Sequence, residues 1–227
     1  MKTKWLGWLS LVTLISVTLW LVLLIWDMAT AGPLVSFEQV LVHIGKSNWK
    51  YYFTYLNAGV FTLCVIALMA GLYGYCRTSS PEWSIVGLVF VPVFGTINLI
   101  AYLSQITLVP SLLKAASDPV MANAAFLLLQ QSIHILPGST VGFFNGLAYA
   151  ILGIPSIIFG WALTLSNIRP LRISGWLLLI NGVTCILGLF GILIGSEFLS
   201  LGTVIGGAIF WLSLFPMTNA FLRIHDE

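Results

Sequence analysis

Six apolar runs, at about residues 5–26, 51–75, 84–108, 141–164, 173–195 and 198–220, contain no Lys, Arg, Asp or Glu. All nine basic and all seven acidic residues lie between or beyond them. A transmembrane helix needs about 20 apolar residues, and a charge placed at mid-membrane costs about 2.5–3.5 kcal/mol on insertion scales. The exclusion is therefore the signature of lipid as solvent. Composition agrees, with 7% charged and 59% hydrophobic residues, where a soluble domain carries roughly 25% charged. The sequence predicts an all-α polytopic membrane helix bundle of six transmembrane helices, one integral membrane domain over residues 1–227, with no room for a large soluble lobe.

Basic residues orient the spans. An even number of crossings puts both termini on one side, which then holds Lys2, Lys4, Arg77, Arg169, Arg172 and Arg223. The opposite side holds Lys46, Lys50 and Lys114. The excess places the N and C termini in the cytoplasm. Aromatic residues mark the two boundaries: Trp5, Trp8, Tyr73, Tyr75, Trp83, Trp161 and Trp176 inside, Trp26, Trp49, Tyr51 and Tyr52 outside. The stretch "ATAG" at 29–32 resembles a signal-peptidase site. The apolar run before it is longer than the roughly 7–15 residues of a signal h-region, and the first helix is read as uncleaved.

The two long outer loops carry their own helical signals. In "GPLVSFEQVLVHIGKSNW", Ser36 and Gln39 form an S-x-x-Q capping box. Phe37, Val40, Leu41 and Ile44 then share a face before Gly45, predicting a short interfacial helix that acts as an anchor or a lid. In the second loop, Asp118 and Pro119 read as an N-cap and first turn, and Pro137-Gly138 as a stop. A seventh crossing here would invert the basic count, so this segment is read as a re-entrant or surface helix. Gln130, Gln131 and His134 would gather on one side of it. The short 196–197 link makes the last two spans a tight hairpin.

Within the third span, Asn98, Tyr102 and Gln105 follow one another at i, i+4 and i+7, a single helical face. Asn57 in the second span and Asn145 and Tyr149 in the fourth fall at similar depth in the outer half. Pro92 and Pro155 would bend the third and fourth helices around them. Two readings follow. The six side chains line an outward-facing ligand cleft, or they are hydrogen-bonding glue between helices. Small residues four apart in "GSTVG", "GFFNG", "GILIG" and "GTVIG" allow close helix approach in either case.

Absences narrow the chemistry. None of the six runs holds an ionisable Asp, Glu, Lys, Arg or His, so no intramembrane proton relay, retinal lysine or haem ligand is expected. Cys64, Cys76 and Cys185 show no C-x-x-C spacing and read as small apolar side chains. His43 and His134 are external, with Glu38 and Asp118 near them in sequence, but no metal-ligand spacing joins them; His225 belongs to the charged tail. There is no H-E-x-x-H, G-x-S-x-G or phosphate loop, and no basic run to meet nucleic acid. No catalytic residue, metal or cofactor is expected.

The stretch from Trp83 to Leu113 resembles a family of small bacterial multi-pass membrane proteins of unknown function. The likeness rests on Trp83-Ser84, then the Asn98-x-x-x-Tyr102-x-x-Gln105 run, and a closing turn. That turn reads Val109-Pro110-Ser111-Leu112-Leu113, where similar chains carry a spacer between Val and Pro. The match covers mainly one helix and its exit. It implies a bacterial cytoplasmic membrane and carries over no activity.

Three functions fit these residues. The first is non-catalytic binding of a small amphipathic ligand, a lipid or a partner subunit from the outer side, with Asn57, Asn98, Tyr102, Gln105, Asn145 and Tyr149 orienting it. The second is a facilitator for an uncharged solute, which requires a polar path to the cytoplasm through Asn181 and Asn219. The third is an interfacial enzyme using His43 or His134.

Overall fold

Residues 4–31, 34, 36–45 and 49–223 are described by a computed structural model. Lys2, Lys46 and His225 lie outside the described residues. The described chain is all-helical: α1 (Lys4–Ala31), α2 (Phe37–Gly45), α3 (Trp49–Cys76), α4 (Pro81–Ile106), α5 (Leu108–Ala115), α6 (Ala122–Ser132), α7 (Thr140–Thr164), α8 (Arg169–Ile194), α9 (Glu197–Ser200) and α10 (Gly202–Arg223). Six helical segments are long and apolar enough to cross a membrane, and they coincide with the six charge-free runs.

The spans form a closed ring in chain order: α1 against α3, α3 against α4, α4 against α7, α7 against α8, α8 against α10, and α10 back against α1. The closure is sealed near both termini, where Gly7 lies beside Leu222. Further along, the Ser10 and Thr218 hydroxyls bond at 2.8 Å and the Trp211 indole donates to Thr18 Oγ1 at 2.9 Å. The chain ends thus share one face of the bundle, here the terminal end. The two long loops occupy the other, the long-loop end.

Two kinds of seam hold the ring. Between α7 and α8 the backbones nearly touch: a methyl added at Gly160 would stand 2.8 Å from the Gly175 carbonyl, and one at Gly175 2.7 Å from the Gly160 carbonyl. Gly153 and Gly182 repeat this one pair along. Gly188, Gly202 and Gly206 do the same between α8 and α10, and Gly191 between α8 and α9. In lipid, where no hydrophobic force drives helix pairing, close van der Waals approach of small residues is what joins helices. The seam between α3, α4 and α7 is polar instead.

The loop helices refine the sequence reading. Around α2 the capping box is reciprocal, with Ser36 N donating to Gln39 Oε1 at 3.2 Å and Gln39 N to Ser36 Oγ at 3.3 Å. Val40 and Ile44 are buried, so α2 seals the bundle rather than resting on it. α1 runs past residue 26 to Ala31 because Met28, Ala29 and Thr30 give it no reason to stop. This carries Asp27 into the helix, where it is buried. Tyr51 turns inward and is 2% exposed instead of joining the aromatic boundary.

Asp118 is not the N-cap of the second loop helix. Its carboxylate accepts from Val120 N at 2.9 Å, closing a turn, and α6 starts later, at Ala122. At 11 residues α6 spans about 16 Å, half of a hydrocarbon core, so it does not cross. α4 and α5 are separated by a break at Thr107. Pro110 accounts for it: the ring has no N–H for the Ile106 carbonyl and crowds it.

Gly182→Leu forces a side chain into the Gly153 backbone, and overpacking of this kind costs about 1–3 kcal/mol. Gly207→Ala meets open space and should be neutral. A thermal-shift comparison in detergent checks both.

Candidate functional site: a polar column under the long loops

The Asn98–Tyr102–Gln105 face of α4 points into the bundle, with Asn98 and Gln105 fully buried and Tyr102 1% exposed. It meets a matching face of α3 built from Tyr51, Tyr55, Ala58 and Thr62, spaced four, three and four apart, all buried. Asn145 and Tyr149 approach from α7. The result is a column of hydrogen-bonding groups running from the long-loop end to mid-bundle.

At its deep end Asn98 Nδ2 donates to Thr62 Oγ1 at 2.8 Å, and Asn145 Nδ2 donates to Asn98 Oδ1 at 3.0 Å. Thr62 passes its own proton to the Ala58 carbonyl at 2.8 Å. One turn nearer the loops, the Tyr102 and Tyr149 hydroxyls bond at 2.9 Å. Above them sits Gln105. Its Oε1 accepts from Tyr51 OH at 3.0 Å and from His134 N at 2.9 Å, while its Nε2 donates to the Ser132 carbonyl at 2.8 Å. The amide thus grips the backbone on both sides of Ile133, which is extended at φ −78° and ψ 117°.

His134 closes the column. Its Nδ1 shares a 3.1 Å bond with Tyr55 OH, and its ring stands edge-on to Tyr55 and to Tyr102, each at 5.7 Å between centroids. Partial burial pushes the imidazole below its ordinary pKa, because desolvation penalises the charged ring. Beyond Tyr51, edge-on at 6.5 Å, lies His43, whose Nε2 is 3.1 Å from Asp27 Oδ2. This buried pair ties α2 to α1. Asp27 lies just beyond the charge-free run at 5–26, in the part of α1 that continues to Ala31.

Five of the six residues singled out from sequence belong to this column: Asn98, Tyr102, Gln105, Asn145 and Tyr149. Asn57 does not. It faces α1 and donates to the Ser16 carbonyl at 2.9 Å. Gln130 and Gln131 do not join His134 either: both are exposed, and Gln131 accepts from Thr140 Oγ1 at 2.7 Å. Tyr51, Tyr55, Thr62 and His134 were missed, though the three on α3 repeat the spacing that marks the α4 stripe.

Toward the terminal end the column stops at an apolar floor. Phe94, one turn below Asn98, is fully buried, as are Leu68 and Met69, with Val65 1% and Leu152 2% exposed. Asn181 lies elsewhere, donating to the Gly206 carbonyl at 2.9 Å across the α8–α10 seam, and Asn219 is exposed. Beside the column, on the outside of the bundle, Trp49, Tyr52, Phe53, Leu56 and Ile106 line an open apolar groove between α3 and α4. Among the described residues no cluster of three or more His, Cys, Asp or Glu could hold a metal ion.

No family model, curated protein or solved structure matches this chain.

Two outcomes test the column. Asn98→Leu and Asn145→Leu remove two ends of one bond, so the double variant should lose less stability than the sum of the singles, by about 0.5–1.5 kcal/mol. Equal sums would show that the pair is uncoupled. His134 is held neutral when folded but protonates near pH 6.5 when unfolded. Its stabilisation is complete above that pH and is lost as pH falls toward the lower folded value. The melting temperature should fall between pH 7.5 and pH 5, and His134→Gln should flatten that slope.

Proposed function

We propose that this is a non-catalytic binding protein of the membrane, taking up a small amphipathic molecule, such as a lipid, or an apolar partner segment, from the long-loop side. The basic-residue asymmetry makes that side the outer face, and the resemblance of residues 83–113 supports a bacterial cytoplasmic membrane.

The observation that carries the reading is adjacency. Gln105 ends the polar column, and Ile106, the next residue, lines the apolar groove. Hydrogen-bonding groups and an open apolar surface thus lie side by side at the same depth, which is the pairing an amphipath requires. Trp26 and Trp49 stand edge-on at 5.6 Å near the groove's upper end, in the belt where aromatic rings meet headgroups. The apolar floor beneath Asn98 favours a site closed on one side over a path for solute. A second reading, an interfacial enzyme, has one feature in its favour: Asp27 orients the His43 imidazole as a carboxylate orients a general base.

Native mass spectrometry with lysophosphatidylcholine as the probe tests the proposal. Asn98→Leu/Gln105→Leu and, separately, Trp49→Ala/Phe53→Ala should each lower retention at least about threefold, since each pair removes contacts worth about 0.6 kcal/mol or more. Unchanged retention in both would discard it.

A further inference from the structure

The column lies beneath a cover whose attachment is unlike that of any spanning helix. From Leu108 to Leu136 the chain forms a hairpin, α5 and α6, followed by a short strap that is extended at Ile133 and turns at 134–136, where Leu136 N donates to the Ile133 carbonyl at 3.2 Å. α6 packs on α5 and on the start of α7. The unit's buried apolar contacts with the bundle are Val109 on α5, Ala125 and Leu129 on α6, and Ile133, joined by Phe126 edge-on to Phe37 at 6.4 Å. The other face of α6, with Leu127 and Leu128, is exposed.

Beside the buried Ile133 side chain, a small set of hydrogen bonds fixes the strap over the column: the Gln105 grip on Ser132 and His134, and the Tyr55 bond to His134. Both ends of the unit are places where a backbone turns. Thr107 interrupts α4 and α5 ahead of Pro110, and Gly138, at φ +75°, follows Pro137. Such terminal positions absorb the dihedral change of a hinged element.

We propose that residues 108–136 are a lid that swings on Thr107 and Pro137-Gly138, unlatching from Gln105 and Tyr55 to open the column to the long-loop side. Its ligand-admitting purpose rests on the binding reading above; the motion does not. In the closed state the backbone around Ile133 occupies the Gln105 amide. In the open state that amide, with the Tyr55 hydroxyl, is released to an incoming polar group. Each latch bond traded for a bond to ligand or water leaves no buried group unpaired.

Hydrogen exchange on the intact protein in phosphatidylcholine nanodiscs decides the matter. Amides of 122–136 should exchange as one unit, at least about tenfold faster than those of α3, α4 and α7 flanking the column. Gln105→Leu, and independently Tyr55→Phe, which keeps the ring but not the bond, should speed that unit about tenfold further while sparing the spans. Exchange of 122–136 in step with the spans, or equal acceleration everywhere, would overturn the lid. Lysophosphatidylcholine separates the two ideas. Lid exchange without retention of the probe keeps the lid and removes the binding reading, whereas retention with uniform exchange does the reverse.

Discussion

A side chain that can hydrogen-bond has no water to turn to among acyl chains, so such groups in a span are drawn toward partners inside the protein, although the Ser84 and Ser156 hydroxyls are buried without one among the described residues. That constraint organises the bundle. It turns Asn98, Tyr102 and Gln105 inward on α4, meets them with Thr62, Tyr55 and Tyr51 on α3, and draws Asn145 and Tyr149 from α7. The order of the ring is the one in which these faces can meet. Asn57 obeys the same rule in another direction, pinning α3 to the Ser16 carbonyl of α1.

The remainder of the ring is held differently. Where α7, α8 and α10 meet, glycines remove the side chains and let backbones approach, so shape alone fixes the contact. α7 takes part in both kinds of seam, with Asn145 and Tyr149 on its loop-end half and Gly153 and Gly160 deeper. A backbone-to-backbone seam has one fitting position. A hydrogen-bonded seam has alternatives, since each donor accepts any acceptor of similar geometry. The half of the molecule able to exchange partners is therefore the half beneath the long loops.

The α4 stripe was legible because the helical period is local: i, i+4 and i+7 coincide on any helix. The α3 face carries the same period. It was overlooked because its members are tyrosines and a threonine, residues that also suit a boundary or a lipid face. His134 left no such trace. It follows α6 in a turn with no period, and only the fold brings it to Tyr55. Asp27 and His43 are 16 residues apart on α1 and α2, a pairing that no period within one helix encodes.

The sequence by itself determined the solvent, the number of crossings, the capping box at Ser36 and Gln39, and the inward face of α4. Each follows from charge exclusion or from a period within one helix. Only the tertiary structure decided which helices are neighbours, that Asn57 stands apart, that Asp118 closes a turn, and that Gln105 grips the chain at Ile133. The buried-amide pairings join residues 27 or more apart, and no local pattern encodes which distant partner such an amide will meet.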